Sequence, residues 1–295
     1  MQPADFLSAV FFYLKVGENW NQNWIVENLN NAFSTWNGKL GELWGLVTTG
    51  PQTFKGGAVW SVMQTLHNGM VGIGYALVVL FFAISLCKNT MNFHELKRPE
   101  AAIHYFLRFV AAKTLVGYGM DIMLNVFSIC NGIVTDMADS MGGISEAMVS
   151  LPAEMQTAIE NVGFLASIPL WLVTILGSLF ITVLSFVMIL TVYGRFFRLY
   201  MYTALAPLPL AAFAGESTQS VGISFLKSYV GVCLEGAVIV LACVIYSAFV
   251  STPTVASGEA TTIVWSYLAE TVFNMLVLVG LIKGSDRIIH EMMGL

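Results

Sequence analysis

The chain opens on a short apolar run, DFLSAVFFYLKV over 5–16, of about a dozen residues. At about 1.5 Å of rise per residue this is too short to cross a hydrocarbon core of about 30 Å. It predicts a segment lying at a membrane surface or packed on other helices. Trp20, Trp24, Leu29, Phe33, Trp36, Leu40 and Leu43 then recur in steps of three and four, with Asn and charged residues between them. That period predicts an amphipathic helix, and its tryptophans suit the headgroup layer. Thr49-Gly50-Pro51 and Gly56-Gly57 break it. A second amphipathic stretch from Ala58 leads into the first long apolar run.

Five runs reach the roughly 20 residues that a span requires: 69–87, 101–134, 164–193, 223–250 and 263–282. The second is longer than needed and carries Arg108, Lys113 and Asp121, which predicts a partly buried or broken span. Residues 199–215 are also apolar but contain Ala206-Pro207-Leu208-Pro209. A helix-interior proline removes a backbone donor and crowds the preceding turn, at about 3 kcal/mol each, so this segment predicts a broken, re-entrant hairpin. The expected organisation is an N-terminal amphipathic region, 1–66, followed by a polytopic membrane domain, 67–295. The fold class is all-α integral membrane.

Composition strengthens this reading. Of 295 residues, 57% are hydrophobic and 11% charged, and mean hydropathy is +0.74, whereas a soluble domain carries roughly a quarter charged residues. Charge also sets the expected topology. Asp136, Asp139, Glu146, Glu154 and Glu160 crowd the loop 135–160 without a basic residue, while Lys88, Lys97, Arg98, Arg195, Arg198, Lys227, Lys283 and Arg287 flank the runs. With five spans and a re-entrant 199–215, all eight basic residues fall inside and the acidic loop outside. A sixth span would put the last three outside. This orientation leaves Lys15, Lys39 and Lys55 outside, and the opening Met1-Gln2-Pro3-Ala4-Asp5 reads as no cleaved signal. The expected location is the bacterial cytoplasmic membrane, N-terminus outside and C-terminus inside.

Candidate chemistry is sparse. Cys87, Cys130, Cys233 and Cys243 lie in apolar runs without metal-ligand spacing and read as buried small hydrophobes. The four histidines are scattered, and no nucleotide loop, dinucleotide fingerprint or nucleophile elbow occurs, so no enzyme activity, cofactor or metal site is expected. TLVGYGMD at 114–121 has the letters of a potassium filter, but Leu115 and Met120 displace its Thr and Asp. It reads instead as a kink or a small-residue helix face. Arg108, Lys113, Asp121, Glu235 and Glu270 are ionisable groups at or near membrane depth, where such groups face a cavity or a partner charge.

The order Tyr193-Gly194-Arg195-Phe196-Phe197-Arg198-Leu199, then Thr203-Ala204-Leu205-Ala206-Pro207-Leu208-Pro209-Leu210-Ala211, then Gly215, Lys227 and a further apolar run resembles the TrbL-type conjugal transfer proteins of the Gram-positive conjugative-element kind. The resemblance in span order covers about 69–295. It implies the polytopic inner-membrane subunit of a type IV secretion system, with an external N-terminus, about five spans and a cytoplasmic C-terminus. It supplies no catalytic residues, and it gives Arg195, Arg198, Pro207 and Pro209 a structural and assembly role. The long polar C-terminal tail of many such proteins is missing here. The implied function is a scaffold or channel subunit, a homo-oligomer in the lipid bilayer, moving single-stranded DNA with its relaxase. Implied partners are other secretion membrane subunits and a cytoplasmic secretion ATPase, with Arg195 and Arg198 contacting lipid phosphate or that ATPase. The alternative is an ion or small-molecule transporter acting alone through a midplane site built from Asp121, Glu235 and Glu270.

Overall fold

A computed structural model describes residues 3–90, 99–140, 148–249 and 260–294. Lys97, Arg98, the 141–147 part of the acidic loop and residues 250–259 lie outside the described residues. Within them all regular structure is helical, as the sequence predicts: α1 (Pro3–Thr48), a 3₁₀ turn (Phe54–Gly57), α2 (Ala58–Thr90), α3 (Pro99–Gly117), α4 (Gly119–Ser140), α5 (Ala153–Glu160), α6 (Phe164–Leu205), α7 (Pro207–Ala211) with a 3₁₀ turn (Ala212–Ala214), α8 (Gln219–Phe249) and α9 (Ala260–Met293).

Four of these are long and apolar enough to cross a membrane: Phe54–Lys88, Ser167–Leu205, Gln219–Phe249 and Thr262–Met293. The remaining expected span, 101–134, is two helices, α3 and α4, which meet at Tyr118. Helical hydrogen bonds pass through this point, Tyr118 N–H to the Thr114 carbonyl at 2.9 Å and Ile122 N–H to the Tyr118 carbonyl at 3.0 Å, so it is a kink. The 5–16 run is not a separate element, since α1 continues through it.

The chain forms two compact units, each drawn from several segments: 1–45, 141–191 and 241–283 in one, 46–140, 192–240 and 284–295 in the other. Neither is bounded at residue 66. In the first, α1 buries Ile25, Leu29, Trp36, Leu40 and Leu43, the three- and four-residue steps of the sequence pattern. Polar contacts fix its rotation. The Asn28 amide donates to Ser178 Oγ at 3.0 Å, and Asn37 both donates to the Val149 carbonyl at 2.7 Å and accepts from its N–H at 2.9 Å. Tyr267 Oη donates to the Ser150 carbonyl at 3.0 Å.

In the second unit α2 and α3 run antiparallel, with Val116 near Gly74 and Phe109 against Phe82. Between them sits the segment 207–214, whose Leu210, Ala211 and Ala214 join Val78, Ala112 and Val116 in one buried cluster. The expected hairpin 199–215 begins later than its composition implies, because α6 carries on to Leu205. Ala206 keeps right-handed helical angles (φ −49°, ψ −39°), so the helical path runs on into Pro207, whose missing N–H leaves one carbonyl of the preceding turn without its helical donor. The prolines therefore kink the chain, and the extended backbone at Gly215 (φ −105°, ψ 142°) ends the helical run.

Candidate functional site

The arginines and prolines of the sequence motif both lie in the second unit, where they organise two neighbouring arrangements on α6 and its continuation. The first is ionic. Arg198 Nη2 donates to both carboxylate oxygens of Glu235, at 2.7 Å each, and its Nη1 donates to Asp286. Ser285 Oγ donates to Glu235 Oε1 at 3.2 Å. Glu235 is buried and Asp286 half-exposed, so one guanidinium ties α6 to α8 and to the end of α9.

Arg195, one turn earlier, is wholly enclosed. Its Nε and Nη2 donate to the Val232 and Cys233 carbonyls at 3.3 and 3.2 Å, and its Nη1 donates to the Val47 carbonyl at 3.3 Å. Val47 is in the last turn of α1, whose carbonyls lack helical partners. Arg195 thus caps that helix with a cation, the favourable sign at a C-terminus, while Asn131 donates to the next carbonyl, Thr48, at 3.2 Å. The sequence reading placed Arg195 at a surface, in contact with lipid phosphate or an ATPase. Burial corrects this, since its donors are turned to backbone carbonyls and its guanidinium lies 6.0 Å from the Phe127 ring. Gly236 lets it lie close to α8, since a Cβ there would stand 2.8 Å from the guanidinium and displace it.

The corner between α1 and α2 closes on the same stretch of α6. Phe54 stacks on Phe196 with ring centroids 4.1 Å apart, and Tyr200 Oη donates to the Pro51 carbonyl at 2.9 Å. Gly57 (φ +77°) makes this turn possible, since a Cβ would lie 2.8 Å from the Gln52 carbonyl oxygen.

The second arrangement surrounds the prolines. Pro207 has no N–H, which frees the Thr203 carbonyl four residues back, and buried His67 on α2 donates to that carbonyl from Nδ1 at 2.7 Å. Gly74 lets α2 approach: a Cβ there would meet the Pro207 carbonyl oxygen and Val116 Cγ1, each at 2.9 Å. Gly119, in the filter-like run, faces His67 and Leu210, so those glycines serve close approach at a kink. Tyr229 on α8 donates to the Met123 carbonyl of α4 at 2.8 Å.

Of the ionisable residues singled out from sequence, only Glu235 joins Arg198. Arg108 donates to Gln219, and Lys113, Asp121 and Glu270 are exposed. Sequence reasoning missed His67, Gly74, Gly236, Ser285 and Asp286. His67 had one available signal, the carbonyl that a proline four residues downstream must orphan. The partners of Arg198 had none.

His67→Leu removes the Thr203 donor and keeps the volume apolar. It will lower stability by about 1–2 kcal/mol, the usual range for an orphaned buried acceptor, moderated by what such bonds contribute in membrane proteins. Thermal unfolding of the detergent-solubilised chain measures this, and an unchanged midpoint would mean that the carbonyl has another donor.

Long apolar helices clamped by a buried ion cluster and a proline kink define a polytopic α-helical membrane protein. The chain belongs to the TrbL/VirB6 plasmid conjugal transfer like proteins, whose family model matches residues 36–207. That match includes Arg195, Arg198 and Pro207. No curated protein and no solved structure matches it. Membership places the chain with the components of conjugal transfer machinery.

Proposed function

We propose that this chain is a non-enzymatic scaffold or channel subunit of a type IV secretion or conjugation machine in the bacterial cytoplasmic membrane, helping DNA–protein substrates across it. The family match over 36–207 carries this reading, and the four apolar helices agree with it. Residues 67–295 form the membrane domain and 1–66 a helical region at its surface, with the N-terminus outside and the C-terminus inside. Arg195, Arg198, Pro207 and Pro209 act in assembly by holding α1, α6, α8, α9 and the 207–214 insert in one arrangement. Other secretion membrane subunits, a cytoplasmic ATPase and further copies of the chain are its partners.

The transporter alternative loses support, because Glu235 is engaged by Arg198.

A mating assay with a donor lacking this gene, complemented by wild type or by Pro207→Ala/Pro209→Ala at matched membrane levels, tests the proposal. Transfer is expected to vanish without the gene, return with the wild type, and fall in the double variant, whose restored N–H at 207 competes for the carbonyl that His67 holds. Unimpaired transfer without the gene would refute the reading.

A further inference from the structure

Two of the four cysteines meet. Cys130 on α4 and Cys233 on α8 belong to one buried cluster, and their thiols hydrogen-bond each other. The surrounding contacts hold the two helices in that register. Tyr229, one turn before Cys233, donates from Oη to the Met123 carbonyl at 2.8 Å, and Met123, Phe127 and Cys130 form one buried row of α4. Arg195 closes the group from α6, donating to the Cys233 carbonyl at 3.2 Å with its guanidinium 6.0 Å from the Phe127 ring. The other two cysteines stand apart. Cys243 is buried in the other compact unit, and Cys87 is exposed, which corrects its reading as a buried hydrophobe.

A cysteine that only fills space packs against whatever surrounds it. Two thiols in contact share a chemistry that neither has alone. A soft metal would need further ligands, and no third His, Cys, Asp or Glu stands with the pair among the described residues. Access then decides which oxidant can act. Cys130 is 6% exposed and Cys233 not at all, so an oxidising protein cannot reach either sulfur. A small uncharged oxidant can, because Phe127, Ser128 and Asn131, on either side of Cys130 in the helix, line an open cavity of about 530 Å³.

We propose that Cys130 and Cys233 are a redox-modified pair, a dithiol that hydrogen peroxide converts reversibly to an internal disulfide linking α4 to α8. The Cys130 sulfur, the one nearer the cavity, attacks a peroxide oxygen as thiolate. The O–O bond breaks, the departing oxygen takes a proton and leaves as water, and Cys130 carries a sulfenic acid. The Cys233 sulfur then displaces that hydroxyl as a second water and forms the S–S bond. Each thiol gives up one proton and one electron, and the peroxide is reduced to two waters. A small thiol reductant reverses the change. The bond closes a long loop of the chain and fixes α4 against α8 beside the Arg195 cap of α1. This inference does not depend on the part that the chain plays in transfer.

The test uses the full chain in its own membranes, exposed to hydrogen peroxide, alkylated under denaturing conditions and digested without reductant. The expected product is a peptide pair joined through Cys130 and Cys233, lost after dithiothreitol, absent from Cys130→Ser and retained in Cys87→Ala/Cys243→Ala. Its detection in the wild type needs no substitution at 130 or 233, so the result stands whether or not Cys130→Ser folds. In one detergent the oxidised chain will unfold at least about 5 °C above the reduced chain. Two alkylated thiols after peroxide, Cys130 driven to sulfinic acid with Cys233 alkylated, a bond to Cys87 instead, or a midpoint that does not rise would each overturn the proposal.

Discussion

Replacing Glu235 with leucine will destabilise the second unit by about 3–5 kcal/mol, the cost of removing one partner from a buried charge pair. Glu235 accepts two hydrogen bonds from Arg198, one helical turn from the wholly buried Arg195. Its loss leaves two guanidinium groups of like charge, one with only backbone carbonyls around it. Asp286 is half-exposed and compensates little, since solvent screens such pairs. Glu235→Gln keeps an acceptor in place and will lose less, about 1.5–3 kcal/mol, the range for hydrogen bonds to charged groups. A double variant, Glu235→Leu/Arg198→Leu, will recover part of the loss, because contacting residues are not additive. Thermal unfolding in one detergent, compared across the three variants, reads the series. A Glu235→Leu midpoint equal to wild type would show that Arg198 is balanced by another group.

Gly74→Ala will destabilise by about 1–3 kcal/mol, the range for overpacking a filled core, and transfer will fall with it. In an exposed helix this substitution is favourable by about 0.5–1 kcal/mol, so a loss here reverses the usual sign. The reason is local. One obstacle to the new methyl is a backbone carbonyl, that of Pro207, and the other is a buried valine in the same cluster. Neither is the movable end of a long side chain. Gly72, two residues earlier, has nothing within 4 Å of its would-be Cβ, and Gly72→Ala will be neutral or slightly stabilising. If Gly74→Ala and Gly72→Ala unfold together, α2 does not press on the proline segment as described.

The buried row of α1, the apolar runs and the helical class are all written in residue spacing, which is why they are legible without coordinates. A three- and four-residue period has one structural solution, and an apolar run of 20 or more has few. Helix ends were less legible. The prolines at 207 and 209 mark a break, but whether a break is a reversal or a kink depends on the dihedrals of Ala206, which stay helical because His67 and the glycines of α2 and α4 hold the broken end. Likewise the arginines at the end of the 164–193 run read as surface cations by the sidedness of charge, a statistical rule about loops. Here α6 continues past them, and Arg195 turns inward.

The sequence by itself therefore determined that this is an all-helical membrane protein of a recognisable family, since composition and period act locally along the chain and survive any arrangement of the helices. Only the tertiary structure decided which charges meet. Arg198 and Glu235 are 37 residues apart and Arg198 and Asp286 are 88, and no periodicity links positions on separate helices. The same holds for His67 and the carbonyl that Pro207 orphans, 136 residues away: the chain announces an unpaired acceptor, but which donor reaches it is fixed by how closely α2 can pack, and that depends on Gly74 having no side chain.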